Sequence, residues 1–206
     1  MTPNAARRDA GAAPPGAAAD ELHRLLGDSD ALDLAIYDAV EHTETPALDA
    51  PMAWVSNAAS HAKLWAALAA ALALAGGRRG RHAAVGGMAA VGTASVVANV
   101  VAKGVVRRRR PTQLGDAAHR QAPEPASSSF PSGHTASAFA FASAVGWDLP
   151  ELSLPLNALA AAVGYSRLHL GVHYPSDVIG GAVLGLAVGT AVSAATSARR
   201  TGRRPR

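Results

Sequence analysis

Residues 178–198, VIGGAVLGLAVGTAVSAATSA, form a stretch without a single charged side chain. A helix needs about 20 apolar residues to cross the hydrocarbon core of a bilayer, so this stretch is long enough to span a membrane. Gly181, Gly185 and Gly189 recur at every fourth position, and small residues at that spacing let helices approach closely in lipid. The stretch therefore predicts a transmembrane helix that packs tightly against a neighbour.

Four further uncharged runs precede it, at residues 64–77, 83–102, 135–147 and 152–166. Only the run at 83–102 is long enough to span a bilayer by itself, whereas the other three need flanking polar residues. Charged residues make up only 17% of the chain, and AVILMFWYC residues reach 49%. We therefore predict an all-α, membrane-embedded bundle of about five transmembrane helices, in one domain over residues 29–198.

The two ends of the chain differ from this domain. Residues 1–28 begin with a segment rich in Ala, Pro and Gly, which predicts a disordered tail. A short amphipathic helix is expected to start at residue 29 or 30, because Leu32, Ile36 and Val40 recur at every fourth position. It lies either on the membrane surface or against the bundle. Residues 199–206 form a basic tail.

Arginine clusters account for most of the net charge of +4: Arg78, Arg79 and Arg81; Arg107 to Arg110; and the tail from Arg199. Such clusters beside apolar helices contact lipid headgroups and set membrane orientation. No recognition motif or aromatic stacking platform accompanies them, so we expect no nucleic-acid partner. The chain has no cysteine, which excludes disulfides and thiol catalysis.

The polar residues that an apolar bundle should avoid all lie at the ends of the runs. If every run crosses the membrane once, the alternating direction of the helices places them on the same face. They are Lys103, Arg110, His134, Arg167, His173 and Asp177. Their convergence predicts a single site.

Spacing suggests how these residues work together. His173 precedes Asp177 by four residues, so a carboxylate can hold the imidazole Nδ1–H and leave Nε2 as a nucleophile; taken alone, the pair could equally be structural. Lys103 and Arg110 are two helical turns apart, which predicts that both project from one helix face before Pro111 stops the helix.

The segment Pro131-Ser132-Gly133-His134 precedes an apolar run. Pro and Ser suit a helix start, and free N–H groups there form an anion site. Three cations and two histidines around one anion match the needs of phosphoryl transfer, in which one histidine attacks and the other protonates the leaving group.

These three blocks resemble the signature of the type 2 phosphatidic acid phosphatase superfamily, which includes bacterial acid phosphatases and vanadium haloperoxidases. The first element, K-x6-R-P, matches Lys103, Arg110 and Pro111; the second, P-S-G-H, matches 131–134; the third, S-R-x5-H-x3-D, matches Ser166, Arg167, His173 and Asp177. The surrounding residues look like those of actinobacterial members. The chain departs from the common six-helix membrane members, because only five runs are visible.

The resemblance implies a phosphatase that forms a phosphohistidine on His173, with Asp177 supporting it and His134 acting as general acid. It also implies that the phosphoryl oxygens are held by Lys103, Arg110, Ser132, Gly133 and Arg167, and that no metal or other cofactor is required. The expected substrate is a lipid or polyprenyl phosphate or diphosphate. Candidates are phosphatidic acid, phosphatidylglycerol phosphate, undecaprenyl or decaprenyl diphosphate and a decaprenylphosphoryl phosphoribose.

Three alternatives use the same residues differently. His134, His173 and Asp177 could supply three zinc ligands, although the neighbouring cations would repel the ion. A vanadate-dependent haloperoxidase-like enzyme and a catalytically silent lipid-binding protein are the others.

For location, we expect a multi-pass protein of the plasma membrane. The site is predicted to be extracytoplasmic, because Arg78, Arg79, Arg81 and the tail arginines lie on the opposite face. Arg107 to Arg109, which lie on the face of the site, and the lack of a signal peptide argue the other way.

Overall fold

The computed structural model describes residues 17–102, 108–111 and 128–201, with side chains described for 30–100, 108–111 and 128–198. Within these ranges the chain is helical and contains no β-strand, which confirms the all-α prediction. Lys103, Arg107 and the polar segment 112–127 lie outside the described residues.

The α-helices in the described ranges are α1 Ala17–His42, α2 Pro46–Ala59, α3 Lys63–Ala75, α4 Gly77–Val96, α5 Gly133–Asp148, α6 Ser153–His169 and α7 Pro175–Thr201. Short 3₁₀ turns, Ser60–Ala62 and Pro150–Leu152, precede α3 and α6, and a π-helical turn, Val97–Ala102, continues α4. Each of the five uncharged runs therefore lies on a helix, as predicted.

The N-terminal helix α1 starts well before the predicted position. It begins at Ala17, whereas the sequence predicted a disordered tail over residues 1–28; residues 1–16 lie outside the described ranges. The sequence AAADELHRLL explains the early start, because Ala, Leu and Glu are strong helix formers.

The helix α2 was not predicted, because Asp49, Pro51 and Asn57 interrupt the apolar run that continues in α3. Pro46 occupies the first turn of α2, a position that suits proline. His61 and Ala62 adopt positive φ angles of 54° and 57°, which break the helix between α2 and α3. The result is a kinked apolar segment, Pro46–Ala75.

The helix α5 lies at the centre of the bundle and contacts α4, α6 and α7. Its alanines at 136, 140 and 144 are buried against alanines of α4 and the apolar face of α7. The glycines of α7 permit this approach: a Cβ built on Gly185 would lie 2.4 Å from the carbonyl oxygen of Ala136. The close contact predicted from the glycine spacing is confirmed.

Three described segments are long and apolar enough to span a membrane: Pro46–Ala75, Gly77–Val100 and Pro175–Ala198. The helices α5 and α6, with 16 and 17 residues, are about 25 Å long. Large apolar side chains project outward from several helices, among them Leu74, Val85, Leu154, Ile179 and Val183. An apolar outer surface of this kind suits a lipid environment, and five crossings stay a prediction.

The turns of the bundle alternate between two ends, as the parity of the runs predicts. Arg79 at the start of α4 donates to the carbonyl oxygen of Asp148 at 2.6 Å and lies 3.7 Å from Glu151, so the α3–α4 and α5–α6 connections share one end. At the other end, the amide of Ser132 before α5 donates to the carbonyl oxygen of Asp177 in α7 at 3.0 Å. The polar residues collect at this second end.

Candidate active site

His173 and Asp177 form a buried pair at the start of α7. Pro175 begins this helix and places Asp177 in its first turn. Asp177 Oδ2 lies 3.4 Å from His173 Nδ1 and accepts a hydrogen bond from the amide of Tyr174 at 2.9 Å. The His173 side chain is 2% exposed and that of Asp177 is fully buried. The carboxylate therefore faces Nδ1, the arrangement expected from the four-residue spacing.

Burial lowers the pKa of His173 to about 4, and the positive charges of Arg110 and Arg167 act in the same direction, against the opposing hydrogen bond and charge of Asp177. The imidazole is therefore neutral at neutral pH. Since a neutral imidazole carries one N–H, the carboxylate at Nδ1 fixes the proton there. The lone pair is left on Nε2, the nitrogen that can act as a nucleophile.

Arg110 lies beside that nitrogen. Its Nη1 donates to the carbonyl oxygen of Val172 at 2.8 Å and is 3.2 Å from His173 Nε2. The prediction that Arg110 projects from the same helix face as Lys103 is not supported, because residues 108–110 are not helical. Side chains two residues apart share a face in an extended chain, and Arg108 and Arg110 both point towards the His173–Asp177 pair.

Arg167, in the last turn of α6, is the second buried cation. Its Nη1 donates to the hydroxyl of Ser56 in α2, and its Nε has no hydrogen-bond partner among the described residues. A buried N–H without a partner costs free energy, so this group is available to a ligand. Ser56 was not predicted to belong to the site. The signal that could have found it is its spacing of four residues from Ser60, which places both serines on one helical face.

His134 lies in the first turn of α5, with its Nε2 3.2 Å from the hydroxyl of Ser60. Ser132 is the N-cap of α5, and its fully buried hydroxyl accepts from Thr135 Oγ1 at 3.0 Å. The structure thus places Ser132 as a helix cap, and its side chain is not among those that line the cavity described next.

One cavity of about 340 Å³ brings four of the predicted residues together. Gly133, His134, Arg167 and His173 line it, and Arg110 contacts His173 at its edge. The cavity is completed by residues that were not predicted to belong to the site: Ala59, His61, Ala62, Ser95, Asn99 and Ser137. Lys103 lies outside the described residues, so its place relative to the cavity stays a prediction.

The structure corrects the prediction that Arg107 to Arg109 all contact headgroups. Arg108 is instead bound to acidic groups: its Nη1 donates to Asp177 Oδ1 at 3.2 Å, and its Nη2 donates to Asp33 in α1 at 2.7 Å. Arg109 is exposed. Asp33 was also missed, because the sequence predicted an apolar face of Leu32, Ile36 and Val40. In the structure Leu32 and Ile36 are exposed and Asp33 is buried.

His134 and His173, two of the residues in the zinc alternative, have other partners in the structure. Within the described ranges, no group of three His, Asp or Glu side chains is arranged to hold a metal ion. His134 is instead bound to a hydroxyl and His173 to a carboxylate and a guanidinium.

Comparison with known proteins places this arrangement in context. The family model described as the PAP2 superfamily matches residues 82–201. The chain is 43% identical to a decaprenylphosphoryl-5-phosphoribose phosphatase of Mycolicibacterium smegmatis, over 62% of this chain and 67% of that protein. It is 36% identical to the protein of the same name from Mycobacterium tuberculosis H37Rv, over 74% of this chain and 84% of that protein.

A solved structure has a similar fold. The PAP2-type phosphatidylglycerolphosphate phosphatase from Bacillus subtilis, described as transmembrane, superposes with a TM-score of 0.65 at 23% identity, over 82% of this chain and 86% of that one. The helical bundle of this chain is thus similar to that of a known membrane protein.

Proposed function

Because the chain belongs to the PAP2 superfamily, we propose that it is a membrane phosphatase that removes a phosphate group from a lipid or polyprenyl phosphate through a phosphohistidine on His173. The observation that carries this proposal is the buried imidazole of His173, which has a carboxylate at Nδ1 and the Arg110 guanidinium beside Nε2 and lines one cavity with Arg167. A nucleophile and cations around one anion are what phosphoryl transfer needs.

In the first step, the lone pair of His173 Nε2 attacks the phosphorus and the bond to the leaving oxygen breaks. His134 gives its proton to that oxygen, and the alcohol or prenyl phosphate departs. In the second step, His134 takes a proton from water, the water oxygen attacks the phosphohistidine, and inorganic phosphate leaves. Both histidines return to their starting states, so protons and bonds balance over the cycle.

The phosphoryl oxygens meet positive charge from Arg110 and Arg167 and N–H groups at the start of α5, where Gly133 lines the cavity. The unpartnered Nε of Arg167 is one donor suited to an equatorial oxygen. Lys103 is proposed as a third cation from the family motif. These groups act without a metal ion or other cofactor in this mechanism.

For the substrate, we favour a polyprenyl-linked sugar phosphate. The relatives at 43% and 36% identity are named for decaprenylphosphoryl-5-phosphoribose. Beside the histidines, the cavity also has a polar wall of Ser95, Asn99 and Ser137, with the two serine hydroxyls 3.1 Å apart. Such a wall suits the hydroxyl groups of a sugar better than an acyl chain.

The test is phosphate release by the purified protein against a panel of phosphatidic acid, phosphatidylglycerol phosphate, polyprenyl diphosphate and polyprenylphosphoryl phosphoribose. We expect release from at least one substrate, highest with the phosphoribose lipid, unchanged in excess chelator and inhibited by vanadate. Halide oxidation in the presence of vanadate would favour the haloperoxidase alternative. No release from any of the four substrates would contradict the proposal and favour a catalytically silent protein.

We further propose that the active site faces away from the cytoplasm in the plasma membrane. Arg78, Arg79 and Arg81 lie near the α3–α4 connection, at the end of the bundle opposite the cavity. Arginines close to membrane helices favour the cytoplasmic side, which leaves the cavity on the outer side.

A further inference from the structure

Asp33 is a buried acidic residue in α1, a helix that lies outside the residues matched by the family model. Its side chain is 4% exposed. Asp33 Oδ1 accepts from the amide of Ser176 in the first turn of α7 at 2.9 Å, and Oδ2 accepts from the hydroxyl of the same serine. A carboxylate from α1 therefore binds a free N–H at the start of α7, a favourable place for negative charge.

Arg108 extends this contact to the proposed catalytic pair. Its Nη2 donates to Asp33 at 2.7 Å, and its Nη1 donates to Asp177 Oδ1 at 3.2 Å and to the hydroxyl of Ser176 at 2.6 Å. The guanidinium also lies 4.3 Å above the ring of Tyr174. Two acidic residues from different helices are thus bridged by one planar cation with little freedom to move.

The two oxygens of Asp177 have different partners. Oδ2 faces His173 Nδ1 and the amide of Tyr174, whereas Oδ1 faces Arg108 and the hydroxyl of Ser129. Arg108 therefore acts on the side of the carboxylate that the histidine does not use.

Charge keeps this bridge intact. Burial acts to lower the pKa of Arg108. The pKa is nevertheless raised, because Arg108 donates a hydrogen bond to Asp33 and lies near the negative charges of Asp177, Asp33 and Asp30. Without Asp33, the cation would lose its most buried partner in α1, since the side chain of Asp30 is 66% exposed.

We propose that Asp33 is a positioning residue for the phosphatase reaction: through Arg108 and the first turn of α7, it holds Asp177 against His173. The inference rests on the proposed function, because it assumes that Asp177 orients the nucleophile. It gives α1 a part in catalysis without contact with the substrate, since Asp33 does not line the phosphate cavity.

The experiment uses the full-length protein and measures kcat and KM for the best substrate of the panel. The variants are Asp33→Asn, which keeps an acceptor for the Ser176 amide but removes the charge, Arg108→Gln, and the double variant. Asp38→Asn is the matched control, because Asp38 lies on the same helix, is exposed and forms an ion pair with the nearby His42. Asp177→Asn reports on the proposed function itself.

We expect Asp33→Asn and Arg108→Gln each to lower kcat on the order of 10- to 100-fold with KM unchanged, the usual effect of losing a hydrogen bond to a charged group. The double variant should be no slower than Arg108→Gln, because both residues act along one connection. Asp38→Asn should match the wild type.

Other outcomes separate the two proposals. If Asp177→Asn lowers kcat but Asp33→Asn does not, the positioning role of Asp33 is wrong and the proposed function stands. If Asp177→Asn has no effect, the proposed mechanism fails. If the role of Asp33 is purely structural, Asp33→Asn will lower the unfolding temperature and leave kcat per folded enzyme unchanged. The losses of unfolding temperature in Asp33→Asn and Arg108→Gln will then add in the double variant. This result also overturns the inference.

Discussion

At the scale of single residues, His173 is held by groups with opposite effects on its charge. Asp177 binds Nδ1 and favours protonation, whereas burial and the cations Arg110 and Arg167 oppose it. Burial and the cations dominate, so the imidazole stays neutral and Nε2 keeps its lone pair. This balance is the physical basis of the proposed nucleophile.

The pH dependence follows from this balance. The pKa of His173 is lowered from 6.5 to about 4. We therefore expect kcat/KM, corrected for ionisation of the substrate, to stay constant as the pH is lowered from neutral through 6.5, and to fall only as the pH drops through about 4. The folded protein binds fewer protons than the unfolded chain between these values, so His173 also makes stability fall as the pH is lowered through this window. A decline in corrected kcat/KM centred near pH 6.5 would show that His173 titrates normally.

Arg167 provides a second test at this scale. Arg167→Ala removes a buried guanidinium that lines the cavity, so we expect kcat to fall on the order of 10² to 10³, the loss typical of one oxyanion donor. Arg109→Ala is the matched control, because Arg109 is an exposed arginine one residue from Arg110. Equal phosphate release by the two variants would contradict the role given to Arg167.

The sequence predicted the meeting of Arg167, His173, Asp177 and His134, because residues at alternate helix ends must share a face. It did not predict Asp33, Ser56 or Ser60. These lie in the N-terminal third of the chain, where charged residues and prolines hide the apolar periodicity, and only tertiary packing brings them to the site. Arg108 was assigned wrongly because a helix was assumed where the chain is not helical.

At the scale of helices, the contact between α5 and α7 depends on small residues. A Cβ on Gly185 would lie 2.4 Å from the backbone oxygen of Ala136 and 2.9 Å from the amide nitrogen of Ala140. Backbone atoms cannot move aside as a flexible side chain can. The close approach of the two helices at this position therefore depends on glycine.

We expect Gly185→Ala to destabilise the protein by about 1 to 3 kcal/mol, the usual cost of overpacking, despite the higher helix propensity of alanine. Gly92→Ala is the matched control, because Gly92 is also helical and a Cβ there meets nothing within 4 Å. Thermal unfolding in detergent compares the two variants. An unfolding temperature for Gly185→Ala at or above that of Gly92→Ala would contradict the close packing.

The helices themselves were predictable to different degrees. The glycine-rich run of α7 and the run of α4 stood out because uncharged stretches of about 20 residues are typical of membrane helices. The helix α2 was missed because polar residues and a proline interrupt it, and the start of α1 was placed too late because alanine occurs in both tails and helices. Composition alone does not separate these two cases.

At the scale of the whole molecule, the bundle has two unlike ends. One end carries the cavity, and the other carries Arg79 with its contacts to Asp148 and Glu151. Since α7 runs away from the cavity, the C-terminal end of this helix lies on the side opposite the site. The side of the membrane that holds the active site can therefore be read from the C-terminus.

We expect a reporter that works only in the cytoplasm to be active when fused after Arg206 and inactive when inserted within residues 112–127. The described residues on either side of this insertion, Arg110 and Ser128, lie at the cavity end, where Arg110 contacts His173 and donates to the carbonyl oxygen of Ser128. We expect this result because arginines near membrane helices favour the cytoplasmic side, and the cluster of Arg78, Arg79 and Arg81 lies at the end opposite the cavity. Both fusions must keep phosphatase activity to be compared. Activity of the reporter only within 112–127 would place the catalytic site on the cytoplasmic side.

Every role proposed for this site depends on His173 accepting the phosphoryl group. The decisive measurement is single-turnover phosphate release from the best lipid substrate by the wild-type protein and by His173→Ala, side by side, with folding checked by thermal unfolding. We expect the folded variant to release phosphate no faster than a protein-free control. Release by His173→Ala at a rate close to that of the wild type would show that His173 is not the nucleophile.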